Sequence, residues 1–470
     1  MSSFEEIKNN IKSITEMALE GNADAQNKLG VSYKMGLNGT QSYEEAVKWF
    51  KRAAEAGHDK AQANLGFCLF YGQGVERDEK QAIGWFVKAA EQGNAGAQAK
   101  LGDCYFHGEG IEQDYDKAVE WLKKAAEQGQ AIAQNILGVC YQKGYSVDQS
   151  HEEAVRLFRE SAQQDNKNAL FNLAMCLHNG QGVKKNEKEA VRWFGKAAEL
   201  GDAASQTNLG VCYLEGMGVE QNNEIAAQWF MKAAEQGYSQ AQNNLGFCYE
   251  SGRGVEQDYK KAVELYQKVA EQGIAIGQCN LGRCFEHGLG VAQNHEIAAE
   301  WYLKAAQQDD AESQVCLGWL YQNGFGVPQN YEIAVEWYSL ASKHGNARGQ
   351  VNLGHCYEKG LGVEQNHERA YQLYYQAAEG NNVKGMNNLG ACFLYGDGVE
   401  KNEKKAFQWF LKAAELGDPM AQYNVAFCFE RGIGTEKSDD NAIFWLSRAA
   451  ELGDCDAEKA IRRILKKKEE

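Results

Sequence analysis

The sequence predicts an all-α solenoid of twelve 36-residue helix–loop–helix repeats with half a repeat at each end. One leucine position recurs every 36 residues without insertion, as Leu29, Leu65, Leu101, Leu137, Leu173, Leu209, Leu245, Leu281, Leu317, Leu353, Leu389 and finally Val425. A fixed period in this range is typical of repeat architectures. The length of 470 residues also fits, because a solenoid grows linearly whereas a globular core stops growing near ~250–300 residues.

Apolar spacing defines the first helix of each repeat. In the second copy Ala61 and Leu65 are four residues apart and Cys68 follows three residues later, so the three share one helical face. Gly66, directly after the leucine, lets another helix approach closely. We expect this helix to end at Gly72, because all twelve copies have glycine there and glycine adopts the positive φ of a helix end without strain.

A Gly-x-Gly-Val loop leads to the second helix, whose start has an N-cap type of residue in every copy. These residues are Ser42, Asp78, Asp114, Ser150, Asn186, Asn222, Asp258, Asn294, Asn330, Asn366, Asn402 and Ser438. The helix then has Ala82, Trp85, Phe86 and Ala89 at spacings of three and four. The Ala82 position is alanine in every copy, which favours tight helix crossing, and Gly93 ends the helix.

The chain resembles the Sel1-like repeat family over almost its whole length. The family pattern A-x-Q-x-x-L-G-x-x-Y-x-x-G-x-G-V is matched, for example, by Gly138 to Tyr141 and by Tyr105 with Gly108, and the second-helix pattern by Trp229 to Gly237. The related tetratricopeptide repeat has a 34-residue period and lacks the longer loop. The resemblance implies a right-handed α/α superhelix. We expect residues 1–21 to form an N-terminal capping helix, 22–453 the twelve repeats and 454–470 a C-terminal capping helix.

The net charge and the distribution of apolar residues disfavour some classes of partner and some cellular compartments. The formal net charge of −16 disfavours nucleic acid, whose binding relies on lysine and arginine contacts to phosphates. No apolar run approaches the roughly 20 residues that span a bilayer, and MSSFEEIKNN has acids where a signal peptide is basic. We therefore expect a cytoplasmic protein that does not insert into membranes and binds a protein or peptide. The oligomeric state stays open.

The thirteen cysteines indicate packing and not redox or metal chemistry. Ten of them occupy one column, three residues after the repeated leucine: Cys68, Cys104, Cys140, Cys176, Cys212, Cys248, Cys284, Cys356, Cys392 and Cys428. Equivalent positions on packed helices lie roughly 10 Å apart, too far for a disulfide. There is no zinc-type cysteine spacing, so we expect buried thiols and no cofactor or metal. Some Sel1-like proteins staple each repeat with two cysteines, but this chain has one per repeat in another column.

Catalytic motifs are missing, so we expect a protein that is not an enzyme. The sequence has no S-x-x-K, G-x-S-x-G, H-E-x-x-H or Walker loop. The Gly-x-Gly pairs follow a helix instead of a strand and are better explained as turns. An alternative from the resemblance is a secreted, β-lactamase-like hydrolase, and another alternative is a self-assembling structural protein.

Binding is expected on the first helices, which line the concave surface of tetratricopeptide-like solenoids. The position before the repeated leucine is often asparagine, which can hydrogen-bond the backbone of an extended peptide; the alternative is that it bonds a neighbouring helix. Aromatic residues two positions after the leucine are harder to bury. The candidate peptide-binding residues are Asn64, Asn208, Asn244, Asn280, Asn352, Asn388, Asn424, Phe67, Phe247, Arg283, Trp319, His355 and Phe427. Among them Arg283, Trp319 and His355 are expected to form one pocket with hot-spot chemistry.

The hypothesis from the sequence is thus a non-catalytic scaffold or adaptor that binds an extended segment of a partner protein in its concave groove. One irregularity is left open. From Tyr145 to Leu177 several repeat positions change together, at Ser146, Leu157, Ser161, Asp165, Leu170 and Ala174. This change indicates an altered twist, a second contact site or simple drift.

Overall fold

The computed structural model describes residues 12–37, 39–453 and 455–469, and within these residues the regular elements are helices, with no strand. The chain divides into two compact units, one that extends to Tyr238 and one that begins at Ser239. Each repeat contributes two helices, so the predicted all-α class with 36-residue helix pairs is confirmed. No helix in the described part of the chain is long and apolar enough to cross a bilayer.

Residues 12–19 of the first unit are helical and precede the six repeats of that unit. The repeat helices are α1 (Ala23–Met35), α2 (Tyr43–Glu55), α3 (Asp59–Tyr71), α4 (Glu79–Glu91), α5 (Ala95–His107), α6 (Tyr115–Glu127), α7 (Ala131–Lys143), α8 (His151–Ala162), α9 (Lys167–Asn179), α10 (Glu187–Glu199), α11 (Ala203–Glu215) and α12 (Asn223–Glu235). From α1 to α11, each helix packs on the next one in the unit, so the core is built from neighbour contacts.

The second unit repeats this plan and ends with a longer helix. Its helices are α13 (Ser239–Ser251), α14 (Tyr259–Glu271), α15 (Ala275–His287), α16 (His295–Ala306), α17 (Ala311–Asn323), α18 (Tyr331–Lys343), α19 (Ala347–Lys359), α20 (His367–Glu379), α21 (Val383–Tyr395), α22 (Glu403–Glu415), α23 (Pro419–Arg431), α24 (Asp439–Glu451) and α25 (Cys455–Glu469). Odd-numbered helices from α1 to α23 are the first helices of repeats, and even-numbered helices are the second.

The helix ends form as the sequence predicts. The predicted N-cap side chain accepts a backbone hydrogen bond at all twelve second helices; for example, Asp78 accepts from Gln81 N at 2.8 Å. The predicted terminal glycines all have positive φ, 68° at Gly72, and the Gly72 amide donates to the carbonyl of Cys68. These contacts satisfy backbone groups that would otherwise lack partners at the helix ends.

Both recurrent glycine motifs serve close packing. A Cβ at Gly66 would lie 2.7 Å from the Phe86 ring, so the glycine of the Leu-Gly pair makes room for the second-helix ring of the same repeat. The second glycine of the Gly-x-Gly loop contacts the preceding repeat instead. Gly326 has φ +70°, and a Cβ there would lie 2.2 Å from the backbone carbon of His295. The loop is therefore a turn that joins neighbouring repeats.

A relay of glutamines, which the sequence analysis missed, also links the repeats. Gln62 donates from Nε2 to the carbonyl of Ala54 at the end of the preceding repeat, at 3.2 Å, and its Oε1 accepts from Gln92 Nε2 at 2.7 Å. Both bonds recur at Gln98 with Gln128, Gln206 with Gln236, and Gln278 with Gln308. Each relay satisfies the carbonyl of one repeat with side chains of the next.

The ten cysteines of the repeated column are buried free thiols in the structure. Burial raises their pKa, to about 12 at Cys140 and to about 11 at Cys212. A raised pKa lowers the thiolate fraction and thus the reactivity of the thiol. The prediction of small buried side chains in this column is confirmed.

Four of the six changed positions in the irregular stretch from Tyr145 to Leu177 lie in the core. Leu157, Ser161, Leu170 and Ala174 are all buried, and Ser161 donates from Oγ to the carbonyl of Ala131 at 2.6 Å. Leu170 occupies the position of the relay glutamine, so this repeat exchanges a polar link for apolar packing. Because these four side chains face inward, they do not form a second contact site.

The terminal segments pack on the adjacent repeats. In the N-terminal segment Ala18 packs on Ala25 and Leu29, while residues 1–11 of the predicted cap lie outside the described residues. At the other end, Ile464 of α25 is buried against the last repeat and Arg463 pairs with Glu430 at 2.7 Å. We propose that both segments act as caps, since each packs on a helix face of the repeat beside it.

Candidate functional site

A cavity of about 500 Å³ lies on the first helices of four consecutive repeats in the second unit, α13, α15, α17 and α19. We call it the Trp319 pocket. Its lining includes Phe247, Asn280, Arg283, Glu286, Tyr302 and Trp319. The structure therefore brings together four of the residues that the sequence predicted for peptide binding.

The pocket lies where the core of the repeats becomes polar. In these four repeats the buried ring of the second helix is a tyrosine: Tyr266, Tyr302, Tyr338 and Tyr374. Each hydroxyl donates to a side chain sixteen residues earlier, to Glu250 at 2.8 Å, Glu286 at 2.5 Å, Gln322 at 3.0 Å and Glu358 at 2.8 Å, in that order. Burial raises the pKa of all four hydroxyls, so they remain donors at neutral pH.

Arg283 is already paired inside the pocket. Its Nη2 donates to Glu250 Oε2 at 2.8 Å and to Asn280 Oδ1 at 3.3 Å. Arg348, also in the lining, pairs with Glu312. Both pairs join one repeat to the next, since the partners are 33 and 36 residues apart.

Trp319 and Phe247 form the exposed aromatic part of the lining. Each of these residues is 38% exposed. The ring of Trp319 lies 5.2 Å from that of Phe325 in a tilted arrangement, while Arg253 lies over the Phe247 ring at 5.3 Å. Exposed aromatic rings flanked by fixed polar groups are typical of binding hot spots.

Two more cysteines, outside the repeated column, line this pocket. Cys279 and Cys316 are 37 residues apart, the spacing at which asparagines of neighbouring repeats pair elsewhere in the chain. Burial raises the pKa of Cys279 to about 11 and that of Cys316 to about 12. These two thiols thus take the place of an asparagine pair on the wall of the pocket.

The asparagine column divides into two structural groups. Asn64, Asn280 and Asn424 each donate from Nδ2 to the Oδ1 of an asparagine 37 residues earlier, on the preceding first helix, at 3.0, 2.7 and 2.8 Å. These pairs occur where both positions are asparagine, so the alternative of a bond between neighbouring helices has structural support there. Asn208 donates instead to the carbonyl of Ala204 in its own helix, at 2.9 Å.

The other predicted residues are distributed along both units. Asn388, Asn424 and Phe427 line a second cavity of about 400 Å³ with Tyr395 and Met420, which we call the Phe427 pocket. Asn244 and Asn352 are half-buried on their first helices, and Phe67 packs edge-on against Phe86 in the first unit.

His355 lies on α19, one first helix beyond Trp319, and is not among the described residues that line the Trp319 pocket. The place of His355 in the three-residue pocket therefore stays a prediction. Phe247, from the opposite side, completes the lining.

Glu286 and Tyr302 are the lining residues that the sequence analysis missed. Two column changes could have indicated them: the second-helix ring changes from Phe to Tyr in four successive repeats, and an acid appears sixteen residues earlier in three of them. The described residues contain no group of three His, Cys, Asp or Glu side chains close enough to hold a metal ion. The chemistry of the pocket is thus that of hydrogen bonds, paired charges and aromatic faces.

Comparisons with known proteins agree with this architecture. The sequence pattern of the Sel1 repeat matches twelve consecutive segments: 23–58, 59–94, 95–130, 131–166, 167–202, 203–238, 239–274, 275–310, 311–346, 347–382, 383–418 and 419–454. None of the curated proteins compared with the chain matches it significantly.

Solved structures give the same result. The chain is 38% identical to a protective antigen of uropathogenic Escherichia coli strains that displays an SLR fold, over 90% of each chain and with a TM-score of 0.70. It is 31% identical to a Sel1 repeat protein from Oxalobacter formigenes, over 64% of this chain and 88% of that one, with a TM-score of 0.48. Twelve matched repeats and the relative that is 38% identical over 90% of each chain lead to one conclusion: the chain belongs to the Sel1 repeat family.

Proposed function

We propose that this protein is a non-catalytic scaffold that binds an extended peptide segment of a partner protein along its first helices, with the Trp319 pocket as the anchor site. The observation that carries the proposal is the exposure of Trp319 and Phe247 in a cavity whose polar side chains are already fixed by hydrogen bonds. A preorganised pocket of this kind binds with a small loss of side-chain entropy.

The family supports the same class of function, because Sel1 repeat solenoids are generally protein-interaction scaffolds. The Phe427 pocket supports an extended ligand, since it offers a further cavity on first helices of the same unit, with Tyr395 and Met420 more than half exposed. We also propose a cytoplasmic location, which the twelve free thiols among the described cysteines support, because a reducing compartment maintains thiols.

A selection from random dodecapeptides displayed on phage, with the full chain as bait, tests this proposal. Binding of the selected peptides is then measured by fluorescence anisotropy against the wild type and the variant Trp319→Ala. We expect at least a tenfold loss of affinity in the variant, because hot-spot aromatic residues contribute about 2 kcal/mol or more.

Trp301→Ala is the matched control. Trp301 is also a half-buried tryptophan of the second unit, but it lies on the second helix α16 with Lys304 over its ring at 3.9 Å. We expect this variant to bind the peptides as the wild type does, once circular dichroism has shown that both variants are folded. Equal affinities for wild type and Trp319→Ala would contradict the proposal, and so would a selection that yields no binding peptide.

A further inference from the structure

Glu286, in the Trp319 pocket, is a buried acid that lacks a strong cationic partner. Its side chain is only 11% exposed and accepts from the Tyr302 hydroxyl at 2.5 Å. Among the described residues, the basic group within 4 Å is the imidazole of His287, at 4.0 Å, whose side chain is largely exposed. Burying a carboxyl group in its charged form is costly unless a cation compensates it.

Acids at the position of Glu286 in other repeats have a cationic partner that Glu286 lacks. Glu250, 36 residues earlier, pairs with Arg283 at 2.8 Å, and Glu358, two repeats later, pairs with Lys359 at 2.7 Å. Arg283 follows Glu250 by 33 residues, and the same spacing joins Glu430 to Arg463 at 2.7 Å. The residue that follows Glu286 by 33 is Trp319. Glu286 therefore has an aromatic ring at the position where Glu250 has the cationic partner Arg283.

Trp319 itself differs from most tryptophans of this chain. Eight of the ten tryptophans have a lysine or arginine over the ring, between 3.9 and 5.5 Å: Trp49, Trp85, Trp121, Trp193, Trp229, Trp301, Trp409 and Trp445. No such cation lies over Trp319 in the described part of the chain. Its indole face is thus available to a cation from outside, and tryptophan is the side chain that attracts cations most strongly through its ring.

The remaining charges of the pocket compensate each other. Arg283 pairs with Glu250, and Arg348 pairs with Glu312. Glu286 is therefore the lining acid that remains for a ligand, with the exposed His287 beside it. The net charge of −16 on the whole chain also attracts cationic partners and raises their rate of association.

We propose that the Trp319 pocket binds an arginine or lysine side chain of the partner peptide, with the Glu286 carboxyl as its counter-ion and the Trp319 ring against its cationic group. This inference rests on the proposed function, because it names the side chain that the anchor site accepts. Arginine fits the site well, since its planar guanidinium can bond a carboxyl group and stack on an aromatic ring at the same time.

The test uses selected dodecapeptides and versions of them in which each arginine is replaced by citrulline and each lysine by norleucine. These replacements remove the positive charge and keep the length of the side chain. Affinities are measured by fluorescence anisotropy at low and at moderate salt. We expect the neutral versions to bind at least tenfold more weakly to the wild type.

Two variants of the protein examine Glu286 directly. Glu286→Gln keeps an acceptor for Tyr302, as the native pair of Gln322 and Tyr338 does in the next repeat, and it removes the charge. Trp319→Arg places a cation at the position equivalent to Arg283, so Glu286 acquires an internal partner. We expect each variant to lose at least tenfold in affinity for the charged peptides and to bind charged and neutral versions about equally.

Glu430→Gln is the control, because Glu430 has the same repeat position as Glu286 but is already paired with Arg463 at 2.7 Å and lines neither pocket. We expect it to bind as the wild type does. Selected peptides that lose affinity with Trp319→Ala but bind equally well in neutral form would overturn this inference and leave the proposed function standing. Peptides that bind with no dependence on Trp319 would overturn both.

Discussion

The glutamine relay leads to a prediction in which a single substitution should stabilise the protein. Gln314 is fully buried and donates to the carbonyl of Ala306 at 3.2 Å, but its Oε1 has no hydrogen-bond partner among the described residues. In the complete relays a glutamine 30 residues later supplies the donor, and here that position is His344. The change His344→Gln should restore the missing bond.

The expected gain is about 1 kcal/mol. A neutral hydrogen bond contributes about 0.5–1.5 kcal/mol, and a buried acceptor without a donor costs about 1–3 kcal/mol. The backbone at His344, with φ −78° and ψ 6°, matches that at Gln92, with φ −82° and ψ 4°, so glutamine fits without rearrangement. The lost contact of His344 with Asp309 at 3.5 Å is exposed and contributes at most a few tenths of a kcal/mol.

Hydrogen exchange followed by mass spectrometry measures this effect locally, which matters because a long repeat array does not unfold in one step. A gain of about 1 kcal/mol slows exchange in α17 and α18 about fivefold. The amides of α7 in the other unit serve as an internal reference. The reverse change, Gln308→Ala, deprives Gln278 of its donor and should speed exchange in α15 by a similar factor. Unchanged or faster exchange in His344→Gln would refute the reasoning.

Three further predictions concern the links between repeats and the buried thiols. Single changes of Asn387 or Asn424 to alanine should each cost about 1 kcal/mol and be strongly non-additive, since the two share one bond of 2.8 Å. A double-mutant cycle on the hydrogen-exchange rates of α21 and α23 checks this, and simple additivity would argue against the pair. Gly326→Ala should destabilise the protein by more than 2 kcal/mol, because the added Cβ clashes with the backbone of His295 and the residue keeps a strained positive φ. Gly345→Ala has the same kind of strain but its Cβ meets no atom within 4 Å, so it should cost only about 1 kcal/mol. Equal shifts of the thermal unfolding temperature in the two variants would contradict the account of the loop. Alkaline pH should destabilise the protein. Burial raises the pKa of Cys140 to about 12, so the contribution of its protonated thiol to the free energy of unfolding is complete below the unfolded pKa of about 8.5 and is lost as the pH rises toward 12. Stability measured from pH 7 to pH 10.5 should therefore fall less steeply in Cys140→Ala, and identical slopes would exclude this cause.

The repeat architecture could be predicted from the sequence because it depends on local, periodic signals. The terminal glycines and the N-cap residues bond only to backbone groups a few residues away. They could be recognised because the same residue types recur at the same position of every repeat. The Leu-Gly pair likewise predicted a close approach, which the Phe86 ring against Gly66 confirms. Twelve copies made each of these signals stronger than in a single repeat.

The composition of the pocket could be predicted only in part, because it depends on contacts between repeats. Trp319 and Arg283 could be named as pocket residues from their side-chain types, but the offset of 33 residues that joins Glu250 to Arg283 is a property of helix packing. The offset of 37 residues that pairs Asn243 with Asn280 is another. Without these offsets neither the role of the paired asparagines nor the isolation of Glu286 could be inferred from the sequence.

The position of a bound peptide tests the central claim most directly. A selected dodecapeptide with benzoylphenylalanine at successive positions is irradiated with the full chain, and the cross-linked residues are identified by mass spectrometry. The account predicts cross-links in the first helices α13, α15 and α17, concentrated around Trp319 when the photoreactive residue lies next to an arginine or lysine. Cross-links confined to the second helices of the repeats would contradict it.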